Sequence, residues 1–236
     1  MNLIVLKQEP STLELLQAGS IYVNLFNKGK KVAIYAANAK VSEKMNLLLS
    51  TDKVEYLESL PPQKYLLSIP KQESDVESVQ WQQEESKLNI YINLQSGVIS
   101  NRDLKLQALP REYSEIILIN SEPTDLDKNA EKSADSYSNS EWLKFSATNS
   151  SETAKSSLKV TQKLDSSFDT ISESIQAYLG ANLSKAAAHL LYVALMLETK
   201  NLSLPIKNSQ LFLHLKELVD NGAEPAKVSA TLEKIA

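Results

Sequence analysis

The sequence predicts an α/β fold, a mostly parallel sheet with helices on both faces, and three observations carry that prediction. Short apolar runs at Leu3–Leu6, Val32–Tyr35 and Glu115–Ile119 have the composition of strands buried on both sides. Segments with apolar residues at helical spacing lie between and after them. The opening stretch, Met1 to Ala36, reads strand, turn, helix, turn, strand. A unit of that length is nearly always a right-handed crossover between parallel strands.

Taken in order, Leu3–Leu6 is the first strand, and Pro10, Ser11 and Thr12 punctuate the chain after it. Ser11 or Thr12 can cap the following helix, and Glu14 suits its first turn. Leu15, Leu16, Ile21, Tyr22, Leu25 and Phe26 form its apolar stripe, and Lys28-Gly29 ends it. Val41–Leu49 is a short helix, and Val54–Leu57 a short edge element. After Pro61-Pro62, Lys64–Ile69 is a strand stopped by Pro70. Residues 75–95 alternate apolar and polar at period two, with Glu84, Glu85 and Ser86 as the turn. That pattern is a β-hairpin with one solvated face, set as an insertion at 72–106. Gly97 to Arg102 reads as a turn followed by a capped segment.

Beyond the Glu115–Ile119 strand, residues 121–157 are rich in Ser, Asn, Asp, Glu and Lys, the composition of a mobile surface segment. Within it, Trp142–Phe145 is a short strand. The rest is helical: Ser166–Leu179 closed by Gly180, Ser184–Thr199 as the most hydrophobic and central helix, Asn208–Asn221, and Glu224–Ile235. The whole, 1–236, reads as a single α/β domain.

Hydrophobic content of 42% and charged content of 23% are those of a soluble globular protein. A net charge of −4 argues against a phosphate-backbone partner, so nucleic acid is not expected. The absence of cysteine removes disulfides, thiolate metal sites and a cysteine nucleophile. The first apolar run is too short for a signal peptide, and no segment is long enough to span a bilayer. A cytoplasmic protein with no membrane partner is therefore expected. Two histidines leave little for an imidazole-rich metal site, and five scattered glycines form no phosphate-cradling loop. Ligands of such sheets bind outside the strands' carboxyl ends, which places the candidate site at the turn Lys7–Leu13.

In this order and spacing, the segments resemble the catalytic domain of the DHH phosphoesterases. That family includes oligoribonucleases, RecJ-type exonucleases and cyclic-dinucleotide phosphodiesterases, and it uses a two-manganese site. Its first motif, His-x-x-Pro-Asp-x-Asp, aligns with Lys7-Gln8-Glu9-Pro10-Ser11-Thr12-Leu13, and its Gly-Lys-Lys-Val with Gly29 to Val32. The proline and glycine keep register, while the histidine and both aspartates are replaced. The family's strand ending in a metal-binding aspartate matches one ending in Asn120. Its Ile-Asp-His-His matches Leu143-Lys144-Phe145-Ser146, followed by Asn149. Its Ser-Ser pair matches Ser166-Ser167, its helix-ending Asp-Thr matches Glu198-Thr199, and its Gly-Ala-Asp matches Gly222-Ala223-Glu224. The hairpin, with KLNIYINLQSG, is similar to that of members from uncultivated and reduced-genome bacteria. The family's second, substrate-holding domain has no counterpart before Ala236.

The resemblance implies a vestigial cleft of Lys7, Ser11, Leu13, Asn120, Lys144, Phe145, Ser146 and Glu198, with no catalytic residue and no manganese. Lys7 and Lys144 put ammonium groups where metal ligands would stand, and cations repel cations. Glu198 is either a residual acid or a partner of one of those lysines. Lys7, Ser11 and Thr12 are candidates for an anion site at a helix N-terminus, against simple capping. His189, on the apolar face of the central helix, is read as a hydrogen-bonded core or boundary residue over a general base, and His214 is a weaker candidate for a base still. Trp81 and Tyr91 are core or cross-strand partners. The expected role is that of a degenerate DHH-like scaffold or regulatory protein. Its partner is another protein, either an active paralogue or a second copy of itself. The alternatives are a nucleotide or phosphate binder, and a phosphoesterase with a rearranged site.

Overall fold

The computed structural model describes residues 1–236 apart from 37, 51–53, 61–63, 70–73, 101, 103, 110, 127–136, 138, 147–159, 163–167, 205–208 and 236. The chain divides into two compact units, Met1–Leu60 with Glu112–Ala236, and Pro61–Arg111. The sequence sets a hairpin insertion at 72–106 within 1–236; the second unit is wider than that by several residues at each end.

In the first unit, the apolar runs pair as one six-stranded parallel sheet. Its strands are β1 (Asn2–Leu6), β2 (Val32–Tyr35), β3 (Tyr56–Leu57), β8 (Glu115–Ile119), β9 (Glu141–Phe145) and β10 (Val160–Gln162), in the order β10-β9-β8-β1-β2-β3. The opening strand is central, in keeping with the unbroken apolar run Leu3–Leu6. Ile4 and Leu6 face a larger core cluster, and Leu3 and Val5 a smaller one. Strand β10 is a pairing the sequence reading did not include, a short segment between the polar stretch 121–157 and the helix expected from Ser166.

The larger cluster is closed by α1 (Thr12–Asn27), α2 (Ala39–Leu49), α4 (Ile171–Leu179), α5 (Lys185–Glu198), α6 (Gln210–Asp220) and α7 (Val228–Glu233). The smaller one lies beneath α3 (Pro123–Leu126) and Tyr137, whose ring meets Trp142 edge-on. Helices thus cover both faces, but unequally. Leu16 and Ile21 of α1 are fully buried, each worth about 1.5–3 kcal/mol relative to exposure. Helix α1 can lie close because Gly19 faces Leu190 of α5 and Leu48 and Leu49 of α2 without a side chain.

Two boundaries differ from expectation. Helix α4 begins at Ile171, because Thr170 and Glu173 form a capping box there, so Phe168 precedes the helix. The final segment opens with a 3₁₀ turn, Pro225–Lys227, before α7, with proline at its start, where no amide hydrogen is needed. The expected matches at Asn149 and Ser166-Ser167, and most of the polar stretch 121–157, lie outside the described residues.

The second unit holds two antiparallel pairs. One is β4 (Lys64–Ser68) with β7 (Lys105–Leu109), and the other is the hairpin β5 (Ser74–Gln83) with β6 (Leu88–Gly97). The hairpin alternates as its sequence does. Val79 and Trp81 oppose Ile92 and Ile90 on one face, while Gln80 and Gln82 oppose Tyr91 and Asn89 on the other. Trp81 and Tyr91 thus lie on opposite faces. Of the two expected roles, core or cross-strand partner, the second is the one they take: Trp81 pairs with Ile90 and Tyr91 with Gln80, while Trp81 is 71% exposed and Tyr91 48%.

Candidate functional site

Parallel register builds the carboxyl edge of the sheet. Leu6 is paired with Ile119, and Ile119 with Phe145. Lys7, Asn120 and Ser146 therefore each stand one residue beyond the paired ends of three adjacent strands. Asn120 turns the chain there in the left-handed region, φ 45°, which asparagine tolerates better than most residues. Its N–H donates to the Phe145 carbonyl at 2.9 Å, extending the ladder by one bond.

The first motif position is absorbed into the start of α1. Lys7 Nζ lies 2.9 Å from Oε1 of Glu14, whose side chain is only 4% exposed. The other oxygen of Glu14 accepts the Ser11 N–H at 2.7 Å, and Ser11 Oγ accepts the Glu14 N–H at 3.3 Å. This is a complete capping box with a lysine on its acid. Thr12 is the first helical residue, and Leu13 packs against the larger cluster. An incoming anion here would compete with Glu14.

Lys144 occupies β9 opposite Leu118, so its stem lies on the face of the smaller cluster. Its side chain is 2% exposed, and its ammonium reaches out to the carboxylate of Glu122 in an ion pair. Next to Glu122, Ser121 Oγ donates to the Val5 carbonyl at 3.0 Å, tying this loop to the central strand. Phe145 points to the opposite side, buried against Tyr178 with ring centres 5.6 Å apart. The Tyr178 hydroxyl donates to Glu115 at 3.2 Å, and burial, then that carboxylate, push its pKa up. Ser146 is buried.

Glu198 sits at the end of α5 and serves the start of α4. Its Oε1 accepts the Ile171 N–H at 2.8 Å. Its Oε2 accepts Ser172 Oγ–H at 2.7 Å, Ser172 N–H at 3.2 Å and Gln17 Nε2–H at 3.4 Å. A carboxylate against the first N–H groups of a helix also meets the positive end of its dipole. Burial raises the pKa of Glu198 above the usual carboxylate value, hydrogen bonds from Ser172 and Ile171 oppose it, and the charge on Glu173 adds to it. The pairing with Lys7 or Lys144 kept open from sequence is thus replaced by Ser172, Ile171 and Gln17.

The candidate residues therefore fall into three separate partnerships: Lys7 with Glu14, Lys144 with Glu122, and Glu198 with the start of α4. Sequence reasoning noted Glu14 only as a helix-start acid and missed Glu122, Gln17 and Ser172. The Ser11-x-x-Glu14 spacing was a usable signal. Glu122 had none, because its role depends on two strand ends lying side by side. Among the described residues, no three His, Cys, Asp or Glu side chains gather as a metal site. Two ion-paired ammonium groups and a carboxylate facing N–H and O–H donors are not the donor set that a manganese pair takes.

His189 is engaged at both nitrogens. Nδ1 accepts the Glu224 N–H at 3.3 Å, so Nε2 carries the proton and meets Thr231 Oγ1 at 2.8 Å. Burial lowers its pKa; Glu224 opposes this, and Lys227, Lys185 and Lys234 add to it. Neutral His189 therefore contributes stability that is complete above the ordinary histidine value near 6.5 and is lost as pH falls below it. In urea titrations between pH 7 and 5, His189→Gln is expected to flatten this decline; an unchanged slope would show that another group sets it. His214 packs against Phe168, ring centres 5.9 Å apart.

No family model matches this chain, and no curated protein sequence matches it. Among solved structures, it is similar to an exopolyphosphatase-related protein from Bacteroides fragilis, with a TM-score of 0.53 at 12% identity. The match covers 98% of this chain and 55% of that one, so this chain spans about half the neighbour's length. The likeness is one of fold.

Proposed function

We propose that the protein is a catalytically degenerate DHH-like domain that acts by binding another protein, as a scaffold or regulator in the cytoplasm, without a metal cofactor. One observation carries the reading. Three of the side chains at positions where the resembled family binds metal are engaged in holding this fold together: Lys7 on a capping box, Lys144 in an ion pair with Glu122, Glu198 at a helix start. To recruit them for catalysis, the chain would have to give up those bonds. The fold shared with an exopolyphosphatase-related protein supports descent from a phosphoesterase-like scaffold. No helix among the described residues is long and apolar enough to cross a membrane.

The test is thermal unfolding with and without manganese, then with inorganic phosphate and with a cyclic dinucleotide, alongside a phosphodiester hydrolysis assay. A ligand at about 100 times its dissociation constant stabilises by about 2.7 kcal/mol, a readily measured shift. No shift and no turnover are expected. A manganese shift with turnover would establish an enzyme with a rearranged site. A shift with phosphate or nucleotide alone would establish a binder at the carboxyl edge.

A further inference from the structure

His189 of α5 is built into the joint that holds the segment 223–235 to the fold, and its two ring nitrogens have opposite tasks. Nδ1 accepts the N–H of Glu224 at 3.3 Å, and Nε2 meets Thr231 Oγ1 at 2.8 Å. The single hydrogen of that hydroxyl goes to the Lys227 carbonyl at 3.1 Å, so Thr231 can only accept from the ring. Both contacts therefore require one neutral tautomer, with the proton on Nε2. A second proton can go only to Nδ1, where it would point at the Glu224 N–H. The bond to Glu224 must then break.

The segment is poised to move when that happens. It follows Gly222, which turns the chain in the left-handed region at φ 95° and serves as a pivot. Helix α7 has six residues, too few to persist as a helix away from the body it packs on. Beyond the joint, the segment is held by the buried Ala223 and Ile235, and by Lys44 of α2, whose Nζ donates to the Ile235 carbonyl at 3.2 Å.

We infer that His189 is a proton-operated latch: protonation of its ring loosens the segment 223–235 from α5 about Gly222, while the sheet beneath stays folded. The charged groups around the ring favour this outcome. They are Lys185 on α5 itself, Glu224 and Lys227 on the 3₁₀ turn, and Lys234 just beyond α7. Glu224 is held by ion pairs to Lys185 and Lys227, which pull its pKa down to about 2. Lysine does not lose its proton in acid, so between about pH 7 and 4 His189 alone among these groups changes charge. An imidazolium formed in place meets three ammonium groups and one carboxylate that two of them already share. Opening relieves both the lost hydrogen bond and this repulsion, so the open form binds the proton more tightly and acid favours it.

This inference goes beyond the proposed function and does not rest on it. Manganese-dependent turnover would sink the reading above and leave the latch in place.

The experiment is NMR on the full chain between pH 7.5 and 5. It follows the His189 ring signal and the hydrogen exchange of amides 224–235, corrected for the intrinsic pH dependence of exchange, against amides Leu3–Leu6 of β1. The segment is expected to exchange through an opening of its own, less dependent on urea than the exchange of β1. Its open population should rise by up to about tenfold for each pH unit below about 6.5, and level off where the ring itself is seen to titrate. His214→Gln identifies which ring signal is which and should leave the rise intact. His189→Gln should abolish the rise; if that variant does not fold, the coincidence of levelling and ring titration in the wild type decides. Exchange of the segment only together with β1 would overturn the inference, since unfolding would then be global. So would an opening that ignores pH, one that levels off away from the ring titration, or a pH dependence that survives in His189→Gln.

Discussion

Glu198→Ala is expected to lower the unfolding free energy by about 2–3 kcal/mol at neutral pH, read from urea titrations. Two terms oppose each other. Removing the carboxylate relieves the cost of holding a charge away from water, the cost that raises its pKa. It also strips the acceptor from the Ile171 N–H, the Ser172 N–H and the Ser172 hydroxyl, in a place where Ile171 is 4% exposed and Ser172 fully buried. An unsatisfied buried donor costs about 1–3 kcal/mol, and three are left, so the second term wins. Glu198→Gln keeps one accepting oxygen but turns an amide toward donors, and should lose about half as much. The pH dependence separates the two terms. A carboxyl whose folded pKa is raised above the ordinary value near 4.5 contributes most to stability below that value and less as pH rises through the raised one. Glu198→Gln should remove this decline. A variant as stable as wild type at pH 7 would mean that Glu198 is not a structural acid, and would reopen it as a ligand.

The same residue shows where a sequence can be read and where it cannot. The buried parallel strands were legible because an apolar run bounded by turn residues has few other uses, and β1, β2, β8 and β9 all stand near their expected positions. Helix starts were legible where Ser, Thr and Glu recur at capping spacing. The start of α4 was nevertheless misplaced, because Thr170-Glu173 competes with the serine pair upstream. Strand β10 escaped because three residues of mixed polarity signal a strand only when a neighbour pairs with them. The partners of the candidate site escaped for a related reason. Glu122 and Lys144, like Gln17 and Glu198, are far apart in sequence, and no local pattern joins them. The exposed hairpin face had a legible pattern of alternation, but alternation identifies an apolar side without saying what covers it.

Gly19→Leu is expected to cost about 3 kcal/mol, while Gly19→Ala should change stability by less than about 1 kcal/mol in either direction. Gly19 lies inside α1, where alanine would ordinarily add about 1 kcal/mol through helix propensity. Against that, a Cβ at this position would stand 3.3 Å from Leu190 Cδ1, 3.3 Å from Leu48 Cδ2 and 3.4 Å from Leu49 Cδ2. All three are tips of flexible side chains, so a shift of a few tenths of an ångström accommodates one methyl and nearly cancels the gain. A leucine brings three further carbons into the same space, between α1, α2 and α5, with the core already filled by Leu16, Met45 and Leu191. Overpacking of this kind forces strained rotamers or pushes helices apart. The damage would extend to function-relevant geometry, because α1 also carries Glu14, the partner of Lys7, and Gln17, which bonds Ser172 and Glu198. Urea midpoints of the two variants decide the point. A leucine tolerated as well as an alanine would show that α1 does not approach α5 as closely as this packing requires, and the buried polar contacts built on that approach would fall with it.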